Sequence, residues 1–334
     1  AIFNTFMNRK IIERIDLLAS SGEPFLFVID YLGEEAIVEP LADVSASDIL
    51  FDFNGLGNVG QRERPLPGRL DWRIQMPSFE CYRRSFETVK HHIMAGNSYL
   101  ANLTCTVPVQ TNWSLKDIFH ASQAKYRLWM NDRFVCFSPE TFVRISEGRI
   151  LSFPMKGTID AAIPDAENTL LADRKEAAEH ATIVDLIRND LSRVATDVRV
   201  DRYRYLDRLD THRGSILQTS SQISGRLPSG YECRLGRLLD ALLPAGSITG
   251  APKPKTMDII AEAEDYRRGF YTGVMGIYGD GCLDSAVMIR FVERQGSSLV
   301  YKAGGGITAK SVCEKEYEEV RQKVYVPICR DCQD

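Results

Sequence analysis

Two periodicities alternate along the chain. In "FECYRRSFETVKHHIMAG" (79–96) Tyr82, Phe86, Val89 and Ile93 recur at helical spacing and Gly96 stops the run, which predicts a helix. "LANLTCTVPV" follows with Leu103, Cys105, Val107 and Val109 at alternate positions, the pattern of a half-buried strand. Residues 24–39 read as a hairpin through Gly33, and 61–77, polar with three prolines, as a connector. "RFVCFS" and "TFVRISEGRILSFPM" predict further strands, the latter turning at Glu147-Gly148. A long helix is expected over 174–195, with Val184, Ile187, Leu191 and Val194 as its apolar stripe. Shorter helices are expected near 235–243 and 254–264, and a last one over 312–326. Between them "YTGVMGIYG", "CLDSAVMIRFVE" and "SLVYKAGGGIT" read as three strands, joined by turns too short for anything but antiparallel pairing. Hairpins and helices arrive in blocks, not as strand–helix alternation, so the expected class is α+β with antiparallel sheet.

Composition narrows this picture. The 334 residues suffice for one large domain or two, and 44% hydrophobic with 26% charged residues is ordinary for a soluble globular chain. A net charge of −4 supplies no basic field for nucleic acid. No apolar run reaches the length of a membrane span and no leader pattern opens the chain, so a soluble, cytoplasmic protein is expected. Cys105, Cys136, Cys233 and Cys282 stand singly in apolar surroundings and read as free core thiols. Cys329 and Cys332 form a close pair, half of a zinc site with no second pair at metal spacing, and read as a frayed tail.

Two glycine motifs are decoys. "GLGNVG" (55–60) matches a dinucleotide fingerprint, but Pro65 and Pro67 forbid the helix that must come next. "GSITGAPK" (246–253) has the wrong spacing for a phosphate loop. The acidic residues carry more. Glu176 and Glu179 lie three apart on the long helix, Glu316 and Glu319 three apart on the last one, so each pair shares a face and repels by roughly 0.2–0.5 kcal/mol. A solvated face accounts for either pair alone; two pairs on separate helices also suit a shared Mg²⁺ with all-oxygen ligands. Gly304, Gly305 and Gly306 in succession weaken a strand and mark either a bulge or a close approach, and N–H groups in a turn there could cradle a carboxylate. Arg290 is expected on the neighbouring strand, with Lys323 one turn past Glu319. Finally, "FPMKGTID" (153–160) sets Lys156 in what reads as a constrained turn between Pro154 and Gly157, where a solvated lysine is the plain alternative to a functional one.

Eight runs in order, "IMAGNSYLANL", "FSPETFVRI", "FPMKGT", "KEAAEHATIVDLIRNDLSRV", "GSITGAPKPKTMDIIAE", "YRRGFYTGVMGIYGDG", "SAVMIRF" and "KAGGGIT" with "EKEYEEVRQK", resemble the chorismate-utilising enzymes from about residue 80 to 326. The resemblance implies large antiparallel sheets packed as a sandwich with helices outside. It also implies one chorismate-binding domain over 1–334, with an amino-terminal β-rich part and connector at 1–77 and a catalytic core at 78–328. Lysine at 156 and the wording "GSITGAPK" resemble the branch that makes 4-amino-4-deoxychorismate; anthranilate synthases carry alanine in place of that lysine. The same resemblance implies roles for single residues: Lys156 as nucleophile at C2 of chorismate, Glu140 as general acid, and Glu179 and Glu319 as Mg²⁺ ligands. Glu176 and Glu316 would hold the ion's waters, and Ser247, Arg290, Gly304, Gly305 and Lys323 would contact substrate. Ammonia would come from a separate glutamine amidotransferase subunit, since no cysteine lies in G-x-C-x-G. The alternatives are an anthranilate or isochorismate synthase acting at C2, or a non-catalytic binder of chorismate or Mg²⁺. Gln218 and Ile277 depart from the family pattern, where histidine and tyrosine are usual, and "HASQAKY" (120–126) lacks the run that binds tryptophan in some relatives.

Overall fold

The computed structural model describes residues 5–60, 65–211 and 214–328, so Cys329 and Cys332 lie outside the described residues. The chain is α+β with two large antiparallel sheets, each of nine strands among the described residues. It divides into two compact units, one made of the chain up to Ala42, Thr141–Ser247 and Met275–Ser285, the other of Asp43–Glu140, Ile248–Val274 and Ala286 onward.

In the first unit the strand order is Met155–Asp160, Gly214–Arg226, Arg149–Ser152, Thr141–Ser146, Cys282–Val287, Val274–Gly279, Phe25–Ile29 and Ala36–Pro40, with Thr196–Thr211 also pairing Gly214–Arg226. The expected turn at Glu147-Gly148 is present, both residues having positive φ (52° and 69°), as the tight turns of hairpins require. Helix Arg174–Leu191 packs on Met155–Asp160 and Gly214–Arg226, which places its acidic residues beside the strand of Lys156. The amino-terminal part is not wholly β-rich: Arg9–Ser21 is a helix that buries Ile11, Ile12, Ile15, Leu18 and Ala19.

The second unit orders Gly250–Ala251, Leu100–Thr111, Ser298–Thr308, Phe291–Gln295, Phe134–Ser138, Tyr126–Met130, Ile49–Phe53 and Leu56–Gly57, and Trp72–Ile74 also pairs Leu100–Thr111. Helix Phe79–Met94 buries the expected Tyr82, Phe86, Val89 and Ile93. Its core joins these to Leu103, Val107, Trp129, Phe137, Tyr301 and Val320. Within "GLGNVG" Leu56–Gly57 turns back on Ile49–Phe53, and no helix stands among the described residues between it and Phe79.

Four local expectations need correction. Lys156 is not in a turn but within strand Met155–Asp160, whose register against Gly214–Arg226 shifts between Lys156 and Thr158. "CLDSAVMIRFVE" is not one strand: Cys282–Val287 belongs to the first sheet and Phe291–Gln295 to the second, so Arg290 lies between strands, at φ 56°. Residues 285–288 before the break and Phe291 and Val292 after it are buried, and this apolar run hides the break. Met288 takes up its backbone groups there by pairing with Thr272 and Gly273, each at 2.8 Å. Gly304–Gly306 form neither turn nor bulge; they run in regular register against Asn102–Thr104, none with positive φ. Of the cysteines, Cys136 is buried and Cys105 half-buried, whereas Cys233 and Cys282 are exposed at the ends of short elements.

Candidate active site

Gly157 makes the bulge at Lys156. Its φ of 75° lies in the left-handed region that favours glycine, and a Cβ there would come within 3.0 Å of Glu176 Oε2 and 3.2 Å of Leu170 Cδ1. The bulge re-aims the side chain before it toward helix Arg174–Leu191. Lys156 Nζ stands 3.8 Å from Glu179 Oε2, and Lys175 Nζ is 3.6 Å from Glu179 Oε1. Thr219 Oγ1 donates to the Lys156 carbonyl, which fixes the backbone under the amine. The helix starts cleanly because Asp173 Oδ1 accepts the amides of Lys175 (2.8 Å) and Glu176 (3.0 Å). Glu176 is held above the usual carboxylate range, first by burial and then by the charge of Glu179, with Lys156 and Lys175 pulling the other way. Sequence spacing put the two glutamates on one face; the structure adds the lysine between strand and helix.

In the second unit, helix Cys313–Gln322 runs beside strand Ser298–Thr308. Lys323 Nζ donates to the Gly304 carbonyl (3.1 Å) and pairs with Glu319 Oε1 at 2.7 Å. Glu316 is buried. Gly304 and Gly305 are required for different reasons. A Cβ on Gly304 would strike Leu103 O and Thr104 Cγ2, both at 2.4 Å, so the neighbouring strand demands glycine. A Cβ on Gly305 would meet nothing closer than Lys323 Nζ (3.6 Å), Glu316 Oε2 (3.7 Å) and Glu319 Oε1 (3.8 Å). Gly305 therefore leaves open a small floor ringed by one ammonium and two carboxylates.

The remaining predicted residues sit on other elements. Arg290 packs its guanidinium 5.7 Å from the Tyr325 ring, and its buried Nε has no hydrogen-bond partner among the described residues. An orphaned guanidinium N–H is costly, and a carboxylate satisfies it well. Glu140 is half-buried just after strand Phe134–Ser138; its amide donates to Ser138 Oγ (3.1 Å) and its carbonyl accepts from Val287 (3.2 Å). Ser247, the last residue of its segment of the first unit, is half-buried in the short helix Gly246–Thr249.

Each unit thus offers a carboxylate pair, and within neither do three or more His, Cys, Asp or Glu side chains gather as a metal site among the described residues. The donor set is all oxygen and anionic, which fits Mg²⁺ and its retained waters. A cation there would also offset the repulsion between Glu176 and Glu179, which adds to burial in raising the Glu176 pKa.

Sequence reasoning missed the charged scaffold behind the glycine strand. Lys302 is 1% exposed, pairs with Glu293 at 2.8 Å and donates to the Arg268 carbonyl at 2.8 Å. Arg268 and Glu264 pair at 2.6 Å, and Glu264 Oε1 accepts both the amide (2.8 Å) and the hydroxyl (2.7 Å) of Thr104, the register partner of Gly304. Arg268 also donates to the carbonyls of Ile248 (3.1 Å) and Asn102 (2.6 Å). Nothing in the sequence marks Lys302 as buried: the core face of its strand is Leu299, Tyr301, Ala303 and Ile307, and Lys302 has the opposite parity. A groove of about 720 Å³ in the first unit, between Arg149, Arg199 and Arg226, has none of the predicted site residues in its lining. Its three arginines are matched in the same lining by Glu147, Asp197 and Glu232, leaving no excess charge to recruit an anion.

Residues 25–328 match the family model of chorismate binding enzymes. The chain belongs to that family. It is 47% identical to an "Uncharacterized PabA-like protein" of Haemophilus influenzae over 96% of this chain and 97% of that one. It is 31% identical to aminodeoxychorismate synthase component 1 of Bacillus subtilis over 73% of this chain and 54% of the relative, so it spans about half of that protein. Among solved structures it is similar to anthranilate synthase component I from Streptococcus pneumoniae, with a TM-score of 0.65 and 27% identity over 78% of this chain and 60% of that one.

Proposed function

We propose that the chain converts chorismate and ammonia to 4-amino-4-deoxychorismate, the reaction of aminodeoxychorismate synthase component I that leads to 4-aminobenzoate and folate. The observation that carries this reading is Lys156, held on a bulged strand 3.8 Å from Glu179, where a nucleophile can be positioned. On this reading residues 1–334 serve as one chorismate-binding domain, with the reacting residues in 78–328.

The Lys156 amine attacks C2 of chorismate as the C4–oxygen bond breaks, and Glu140 gives its proton so that the hydroxyl leaves as water. Ammonia then bonds to C4, the C2–nitrogen bond breaks, Lys156 is released as an amine, and the proton shed by the incoming nitrogen returns to Glu140. The sum is chorismate plus ammonia to aminodeoxychorismate plus water. Arg290 offers its free N–H to a substrate carboxylate, and Ser247, Gly304, Gly305 and Lys323 line the bound molecule. Chorismate-utilising enzymes typically use Mg²⁺: Glu179 and Glu319 would hold it, Glu176 and Glu316 its waters, and it would offset the charge between the substrate carboxylate and the glutamates.

The test is to incubate the chain with chorismate, Mg²⁺ and ammonium at alkaline pH and identify the product by mass and NMR. A C4-aminated product is expected, and glutamine should replace ammonium only when an amidotransferase subunit is added. Anthranilate or isochorismate would replace this reading with chemistry at C2, and binding without turnover would make the chain a non-catalytic relative.

A further inference from the structure

His180 lies on the helix of Glu176 and Glu179 but on its buried side, with 0% exposure. Its Nε2 is 2.6 Å from Ser221 Oγ, across 41 residues of sequence, and its Nδ1 has no hydrogen-bond partner among the described residues. Ser221 is equally buried; its Oγ accepts the Arg204 amide (2.9 Å), its bond with Nε2 takes the direction the imidazole tautomer sets, and its own amide donates to the Pro154 carbonyl (2.9 Å). Tyr203 closes the other side, its ring centroid 5.7 Å from the imidazole. Burial first, then the charges of Arg204 and Lys156, push the imidazole pKa down to about 4, so it is neutral. Dry and neutral, it is poorly placed to exchange protons with a substrate. What it does is mechanical. One end of the bond is the residue next to Glu179, and the other belongs to the strand that pairs Lys156 with Thr219 and holds Pro154.

We propose that the His180–Ser221 hydrogen bond is a positioning contact that sets the separation of Lys156 from Glu179. The inference rests on the roles proposed above for those two residues, but its test needs no chorismate. The full chain is treated with limiting acetic anhydride, and acetylation of Lys156 is compared by peptide mass spectrometry with that of Lys10, exposed on the amino-terminal helix. Ser221→Ala should raise the Lys156:Lys10 ratio about fivefold, the scale of one net hydrogen bond, because a helix no longer tied to the strand lets Glu179 move off the amine and opens it to the reagent. His180→Leu should do the same, and the double variant should add nothing further, since both remove one bond. Circular dichroism and thermal melting establish that each variant is folded; a merely structural bond would lower the melting temperature and leave the ratio unmoved. Should Ser221→Ala not fold, His180→Leu reads the same coupling from the helix side. An unchanged ratio in a folded variant, or effects that multiply in the double variant, overturns the proposal. The reaction assigned to Lys156 stands or falls separately, on turnover by Lys156→Ala.

Discussion

Lys156 on a bulged strand and Glu179 on the helix packed over it bring an ammonium and a carboxylate within 3.8 Å, although 23 residues separate them in sequence. Lys156 is about one-third exposed and Glu179 about one-quarter, so solvent screens the pair and its direct stabilising value is small. Its worth is geometric: the strand aims the lysine and the helix aims the glutamate.

Lys156→Ala should lose C4-aminated product by several orders of magnitude if the lysine is the covalent nucleophile, with part of the loss recoverable by added ammonium. Lys156→Arg should not restore it, because a guanidinium keeps its proton and cannot attack. Chromatographic product analysis decides the matter, and wild-type rates in Lys156→Ala would reduce the lysine to an electrostatic residue.

Glu179→Gln and Glu319→Gln should each abolish turnover at ordinary Mg²⁺ while leaving the circular dichroism spectrum unchanged, since each removes one anionic donor from a partly exposed position. EDTA should mimic either change in the wild type, reversibly on adding Mg²⁺. Near-normal rates in both variants would mark the pairs as solvated faces.

Glu176 yields a pH prediction for the metal-free protein. Its carboxyl is raised above the ordinary value of 4.5, chiefly by burial. A group that holds its proton more tightly when folded adds stability below its unfolded pKa and loses it as pH rises through the folded value. Glu176→Gln cannot ionise and should escape that loss. Its melting temperature should exceed wild type by roughly 1–3 °C at pH 7, and the two curves should meet near pH 4. Scanning calorimetry with EDTA present is the measurement; a constant difference across that range would refute the assignment.

Gly304→Ala and Gly305→Ala should part company. The first drives a methyl into Leu103 O at 2.4 Å and should destabilise by about 1–3 kcal/mol, read as a shift in urea midpoint. The second meets no atom closer than 3.6 Å and should fold normally, yet weaken chorismate binding by filling the floor beside Lys323, Glu316 and Glu319. Equal denaturation midpoints for the two would contradict this division.

Much of this protein is determined by its sequence alone. Helix Phe79–Met94, the hairpins at Gly33 and Glu147-Gly148, and the three-residue spacing of each glutamate pair are local properties, written in side-chain period and in the need for positive φ at a turn. The order of motifs likewise sufficed to recognise a chorismate-binding enzyme. Tertiary structure decided the rest, because each remaining feature depends on a partner far away in sequence. Lys156 is in a bulge only because Gly214–Arg226 pairs with its strand out of step. Gly304 must be glycine because Leu103 lies against it, not because the chain turns there. Arg290 sits at a break that its apolar neighbours conceal, since both flanking strands are buried in different sheets. Nothing in the sequence couples His180 to Ser221, 41 residues away, and only the fold brings the two together as a polar tie. Local period reports which face of an element is buried; it carries no information about what is buried against it.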